Sequence, residues 1–210
     1  FMAAAGSIDN EIEVLRSKSM VKQAVLDRDL YKVYSIGNRL KGKVIYGSYP
    51  VIVDIAREDL DKMTRGLTVE ITQPDSLTYT ISYEYEDFVL DKEYEYEKTV
   101  SVLPYVVESP IGKLIISKGD VGCLKPGQTL SVSIVPPIKM AKSFLANLSI
   151  EPTSKTTAVA NISLLDVNKA RGVDFINSLV TAYNRENNND KNMVAMKTDE
   201  FIKGRLLKVE

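Results

Sequence analysis

Histidine is absent from the 210 residues, which removes the commonest general base and the commonest transition-metal ligand together. A Ser-His-Asp triad and a Cys-His pair are both excluded. Zinc would have only Cys123 and carboxylates, an improbable donor set. That single cysteine also rules out an internal disulfide framework, and it reads as a buried structural thiol. Glycine-rich phosphate loops are missing: Gly112-Lys113 stands alone and precedes leucine, and no three-glycine dinucleotide fingerprint occurs. Neither charge sign dominates, with 27 Lys and Arg against 28 Asp and Glu, so no broad field exists to gather nucleic acid or coat an anionic membrane. No apolar run approaches the ~18 residues of a membrane span. The leader Phe1-Met2-Ala3-Ala4-Ala5-Gly6-Ser7 is too short for a signal peptide. A glycosidase needs only two carboxylates, which composition permits, yet no pair stands out. These absences take most of the ground from enzyme readings, and no metal or cofactor is expected.

What is present is ample for a core, since 44% of residues are hydrophobic. Phe1 precedes Met2, so residues 1–7 read as a leader remnant outside the fold, and residues 8–210 as a single domain. Asp9 or Ser7 can cap a first helix, with Ile8, Ile12 and Leu15 on one face and a restart or bend at Ser19. A Tyr- and Val-rich strand pattern follows from Leu30 to Ile36, and Val51–Ile55 reads as a strand buried on both faces or at a sheet centre. Glu58 to Met63 makes at most a short helix. Strands are predicted at Leu67–Thr72, Thr78–Tyr85, Tyr94–Val102, Lys113–Ser117 and Thr129–Val135, as an antiparallel meander with a turn at Pro126-Gly127. Pro136-Pro137 opens a helix to Asn147, and a strand covers Thr157–Leu165. Two closing helices are expected, divided at Asn187-Asn188-Asn189-Asp190. In the first, Ile176, Leu179, Val180 and Tyr183 share a face; in the second, from about Lys191, Ile202, Leu206 and Val209 do. That last helix carries no C-cap residue before Glu210, which reads as truncation of a longer helix. Without regular βαβ alternation the class is α+β, mostly antiparallel sheet with an N-terminal helix and C-terminal helices packed against it.

Two stretches invite a functional reading. Tyr83-Glu84-Tyr85-Glu86-Asp87 and Glu93-Tyr94-Glu95-Tyr96-Glu97 would place tyrosines on one sheet face and carboxylates on the other. The tyrosines could pack on the core with the acids solvated, or form an aromatic shelf for sugars. A calcium site on the acid face lacks the spacing of a known loop. Lys191, Lys197, Lys203, Arg205 and Lys208 make a cationic helix side, which could face a membrane or a polyanion but reads better as a solvated face or one side of a bundle. Asn147-Leu148-Ser149 and Asn161-Ile162-Ser163 match the glycosylation triplet, a pattern that arises often by chance.

A more specific series runs through the chain. It comprises Asp9 to Met20, Pro110-Ile111-Gly112-Lys113-Leu114, Pro136-Pro137 with Ala141 and Leu148, Leu165 to Asn177, Asp190-Lys191-Asn192 and Phe201 to Leu206. In this order it resembles the periplasmic region of the chain-length determinant, or polysaccharide co-polymerase, family, especially forms fused to cytoplasmic tyrosine kinases in Bacteroides-like bacteria. Asp166-x-Asn168-x-x-x-Gly172-x-Asp174-Phe175-x-Asn177 is its strongest part. The resemblance implies a periplasmic α+β base domain on the inner membrane, anchored by transmembrane helices outside this segment. A helical extension would begin near residue 191. It also implies a non-catalytic scaffold whose copies form rings that help set the length of exported capsular, exopolysaccharide or O-antigen chains. The implied partners are its own copies and the polymerase and export machinery, with a glycan contact in the alternative reading and no nucleic acid. No kinase motif lies in these residues.

Overall fold

Tyrosine hydroxyls tie together two of the three antiparallel sheets in the computed structural model. The structure describes residues 3–38, 41–75, 77–154 and 159–206, with side chains for 8–37, 42–75, 77–154 and 159–199. The largest sheet has six strands in the order β2 (Lys41–Ile45), β1 (Lys32–Asn38), β9 (Thr129–Ile134), β4 (Leu67–Thr72), β5 (Tyr79–Asp87), β6 (Lys92–Val100). A three-stranded sheet runs β3 (Val51–Ile55), β8 (Gly112–Lys118), β7 (Tyr105–Ser109), and β10 (Leu148–Pro152) pairs with β11 (Ala160–Leu164). All the pairings are antiparallel. The fold is α+β.

Alternation fixes which face is buried. In the large sheet Tyr34, Val132, Val69 and Ile81 look into the core, and Val53, Leu114, Ile116 and Val107 do so from the smaller sheet. The Tyr34 hydroxyl accepts from the Val53 amide at 3.1 Å and lies 3.4 Å from the Val53 carbonyl, to which it donates. Tyr83 donates to the Glu108 carbonyl at 3.1 Å, and Tyr96 to the Tyr105 hydroxyl at 3.4 Å. These bonds satisfy polar groups that would otherwise be stranded between apolar faces.

The helices α1 (Ala3–Leu15), α2 (Lys18–Asp27), α4 (Pro137–Asn147) and α5 (Lys169–Leu206) join one hydrophobic cluster with the sheets; α3 (Arg57–Lys62) contributes Leu60. α2 lies against both α4 and α5. Pro137 occupies the first helical position of α4, where its missing N–H costs nothing.

Several elements differ from the sequence reading. α1 starts at Ala3, so the helix runs through part of the segment expected to be leader, and the Asp9 cap is overturned: three alanines before it favour helix. Ser7, the alternative cap, lies inside the same helix and so does not start it either. The break between the first two helices falls at Ser17, whose hydroxyl accepts from the Met20 amide at 3.2 Å, rather than at Ser19. β3 is an edge strand with Asp54 exposed, not one buried on both faces. Only β4, β5 and β6 follow one another as a meander; β7 and β8 lie in the three-stranded sheet, and β9 returns to pair between β1 and β4. Three strands were not foreseen, namely β2, β7 and β10. Cys123 is exposed instead of buried. Pro126-Gly127 does turn the chain, with Gly127 at φ 78° and the Gln128 amide bonded to the Lys125 carbonyl.

The largest correction concerns the end of the chain. The two expected closing helices are one, α5, whose 38 residues span about 57 Å. Between Gly172 and Gly204 the sequence holds no glycine or proline, and asparagine costs only about half a kcal/mol relative to alanine in a helix. Asn187 to Asp190 therefore lower helix propensity without stopping the helix.

Candidate functional site

The paired strands β5 and β6 bring the Tyr-Glu repeats into register: Tyr83 opposes Tyr96, Tyr85 opposes Tyr94, and Glu84 opposes Glu95. The tyrosines turn inward. Tyr83 is buried and stacks on Tyr96 with centroids 5.2 Å apart and planes 5° from parallel, while Tyr85 meets Tyr94 edge-on at 6.2 Å. Burial pushes the Tyr83 and Tyr96 hydroxyls above the ordinary tyrosine range, and the bond to Tyr105 pushes Tyr96 further. Lys98 and Tyr96, both bonded to Tyr105, hold that phenol below its ordinary value. This is core packing, not an open shelf.

The opposite face is hydrophilic. Thr68, Glu70, Ser82, Glu84, Glu95 and Glu97 line a shallow groove of about 710 Å³. Thr68 bonds Ser133 at 2.8 Å and Thr80 bonds Thr99 at 2.9 Å across the strands. Among the described residues no group of three or more His, Cys, Asp or Glu is arranged to hold a metal ion.

The segment singled out at Asp166 to Asn177 builds the root of α5. Asn168 caps the helix by accepting from the Arg171 amide at 3.1 Å. Asp166 accepts from the Asn168 amide at 2.7 Å and takes the Arg171 guanidinium at 3.0 to 3.2 Å on both its oxygens. Both side chains are largely hidden, at 14% exposure for Arg171 and 6% for Asp166. The same guanidinium sits 5.8 Å from the Phe144 ring, and Phe144 stacks on Phe175 with centroids 4.2 Å apart. A hypothetical Cβ on Gly172 would meet Asp166 at 3.4 Å, so the helix passes close to this lock.

Further along, Phe175, Ser178, Leu179 and Ala182 form the buried stripe, with Ile176 and Tyr183 at its flanks. Val180, expected in the stripe, is exposed. Ser178 donates to the Ala24 carbonyl at 3.1 Å, Tyr46 donates to Asp174 at 2.7 Å, Tyr183 bonds Glu11, and Arg185 pairs with Asp27 at 2.9 Å. Beyond this pair the helix leaves the body. Residues 188–199 are all exposed, including Met193, Val194 and Met196 and the cations Lys191 and Lys197. Ile202, Leu206 and Val209, expected to present an apolar side, lie outside the residues whose side chains are described, as do Lys203, Arg205 and Lys208.

The two glycosylation triplets sit at the start of β10 and inside β11, and the Asn147 amide donates to the Ser143 carbonyl at 2.9 Å. Among the described residues no helix is long and apolar enough to cross a membrane. Neither a scan against protein-family models nor a search of curated proteins gives a match for this chain.

Proposed function

We propose that the chain is a non-catalytic assembly module: the periplasmic scaffold domain of an inner-membrane protein that sets chain length or export in capsular, exopolysaccharide or O-antigen synthesis. The observation that carries this reading is α5, whose first half is locked to the body while residues 188–199 of its second half are all exposed. From Arg185 to Leu206 the helix runs about 33 Å beyond its last ion pair with the body. An isolated helix of this size is marginal in water, and most helices in proteins owe their stability to packing. Met193, Val194 and Met196 give it an apolar surface that a partner helix would cover. The motif order from Asp9 to Leu206 supports the family resemblance, and the root at Asp166, Asn168 and Arg171 explains physically why that motif would matter. Copies would assemble around the protruding helices, and a ring demands a heterologous interface that closes on itself. The polymerase and export machinery would be further partners of such a ring.

The test is the solution mass of the chain, alone and with its natural flanking sequence, by sedimentation velocity. Assembly that disappears on replacing Met193, Val194 and Met196 with glutamate supports the reading. A monomer under every condition refutes it.

A further inference from the structure

A second cavity, of about 310 Å³, opens where the end of α2, the β2–β3 connection and the root of α5 meet. Arg28, Lys32, Tyr46, Tyr49, Asp54 and Asp174 line it. Lys32 lies at the bottom, only 7% exposed, with Asp54 at 2.8 Å and Asp29 at 3.1 Å. Tyr46 donates to Asp174 at 2.7 Å, and Tyr49 is stacked on the buried Tyr34 at 3.9 Å. Two more bonds fix Tyr49 in place: its amide donates to Asp120 at 2.8 Å, and its hydroxyl accepts from Gly47 at 3.3 Å. The site is therefore built before any ligand arrives.

Its chemistry narrows the ligand. The carboxylates of Asp54 and Asp174 are acceptors only, and the cations of Lys32 and Arg28 are donors only. Each carboxylate already has one partner, but an ionised carboxylate has about four lone-pair sites, so capacity remains. The Arg28 guanidinium makes no hydrogen bond or ion pair among the described residues, which leaves its donors available. A ligand group that can meet both kinds of neighbour must donate and accept at once, as a hydroxyl does. Net charge adds a second constraint: the carboxylates of Asp29, Asp54 and Asp174 oppose an anion, and the cations of Lys32 and Arg28 in the same lining oppose a cation. Tyr46 and Tyr49 supply aromatic surface for the C–H faces of a ring. The volume is at the low end for a small-molecule pocket, enough for a compact ring and not for a chain.

We infer that this cavity binds one neutral sugar ring, free or at the end of a glycan, between Tyr46 and Tyr49 and the Arg28, Asp54 and Asp174 polar groups. The inference does not depend on the assembly reading: a monomer could hold the sugar, and an assembling protein could fail to.

The experiment is an amide chemical-shift titration of the whole chain with glucose, galactose, N-acetylglucosamine and maltose, with glucuronate and glucosamine as charged probes. A neutral sugar is expected to shift the amides of Arg28, Gly47 and Tyr49 with a millimolar Kd. Tyr49→Ala is expected to weaken it at least about tenfold. Because Tyr49 also supports Tyr34, the exposed Arg28→Gln serves as the variant that keeps the fold, and it too should weaken binding. No shift at these amides with any neutral sugar overturns the inference. So does a preference for either charged probe, or binding that survives both substitutions.

Discussion

Asp166 and Arg171 illustrate how much a single pair can fix. Their ion pair is shielded from solvent, and removing one partner of such a pair strands the other charge, at a cost of about 3–5 kcal/mol. Arg171→Ala should lower stability by that amount in equilibrium denaturation, whereas a joint replacement of both by apolar residues of similar volume should cost much less. The tyrosines make a second residue-scale prediction. Of 11 tyrosines, Tyr31, Tyr34, Tyr46, Tyr83, Tyr96 and Tyr183 are held above their ordinary range, the first five chiefly by burial and Tyr183 chiefly by its bond to Glu11. Lys32 is raised as well: burial opposes its charge, but the bond to Asp54 and the surrounding groups more than offset that. For all of these the folded state keeps its protons longer than the unfolded chain. Their contribution to stability should be whole below about pH 10 and fall as pH rises beyond it. Ultraviolet titration of tyrosinate should show these six ionising at higher pH than free tyrosine. The residue scale is also where the sequence was least legible. The Tyr46–Asp174 bond and the Lys32–Asp54 pair join positions whose proximity only the tertiary fold creates, and the Asp166–Arg171 lock, though local, does not show in residue type alone. Tyr83 and Tyr96, by contrast, could be assigned to one face from alternation alone.

Helix α5 carries the element-scale argument. Its root packs Phe175 and Leu179 into the core, and its far half is exposed at each described position from Asn188 to Asp199. Phe175→Ala should cost about 3–5 kcal/mol, while Val194→Ala in the isolated chain should stay within about 0.5 kcal/mol. Hydrogen exchange should show the same division, with slow amides up to about Tyr183 and fast ones past Asn189. The apolar period announced the first half of this helix and the polar asparagines hid its continuation, because propensity ranks residues without saying where a helix must end. The strands tell a similar story. β4, β5 and β9 alternate cleanly and were visible in the sequence, but Lys41–Ile45 holds a glycine and two lysines in five residues and does not read as a strand. It forms because β1 offers it an edge.

At the scale of the whole molecule, the α+β class followed from mixed order without βαβ units, but the topology did not. Placing β9 between β1 and β4 requires a pairing of distant segments, which local patterns do not encode. The same scale separates the two proposals: the cavity beside Lys32 concerns what the body binds, and α5 concerns what the body joins. The central claim is that the exposed half of α5 is an assembly surface. Sedimentation velocity over a range of concentrations tests it most directly, comparing the chain with its natural flanking sequence against the variant with glutamate at positions 193, 194 and 196. The account predicts a concentration-dependent multimer for the parent and a monomer of unchanged thermal stability for the variant. A parent that stays monomeric throughout, or a variant that assembles equally well, would contradict it.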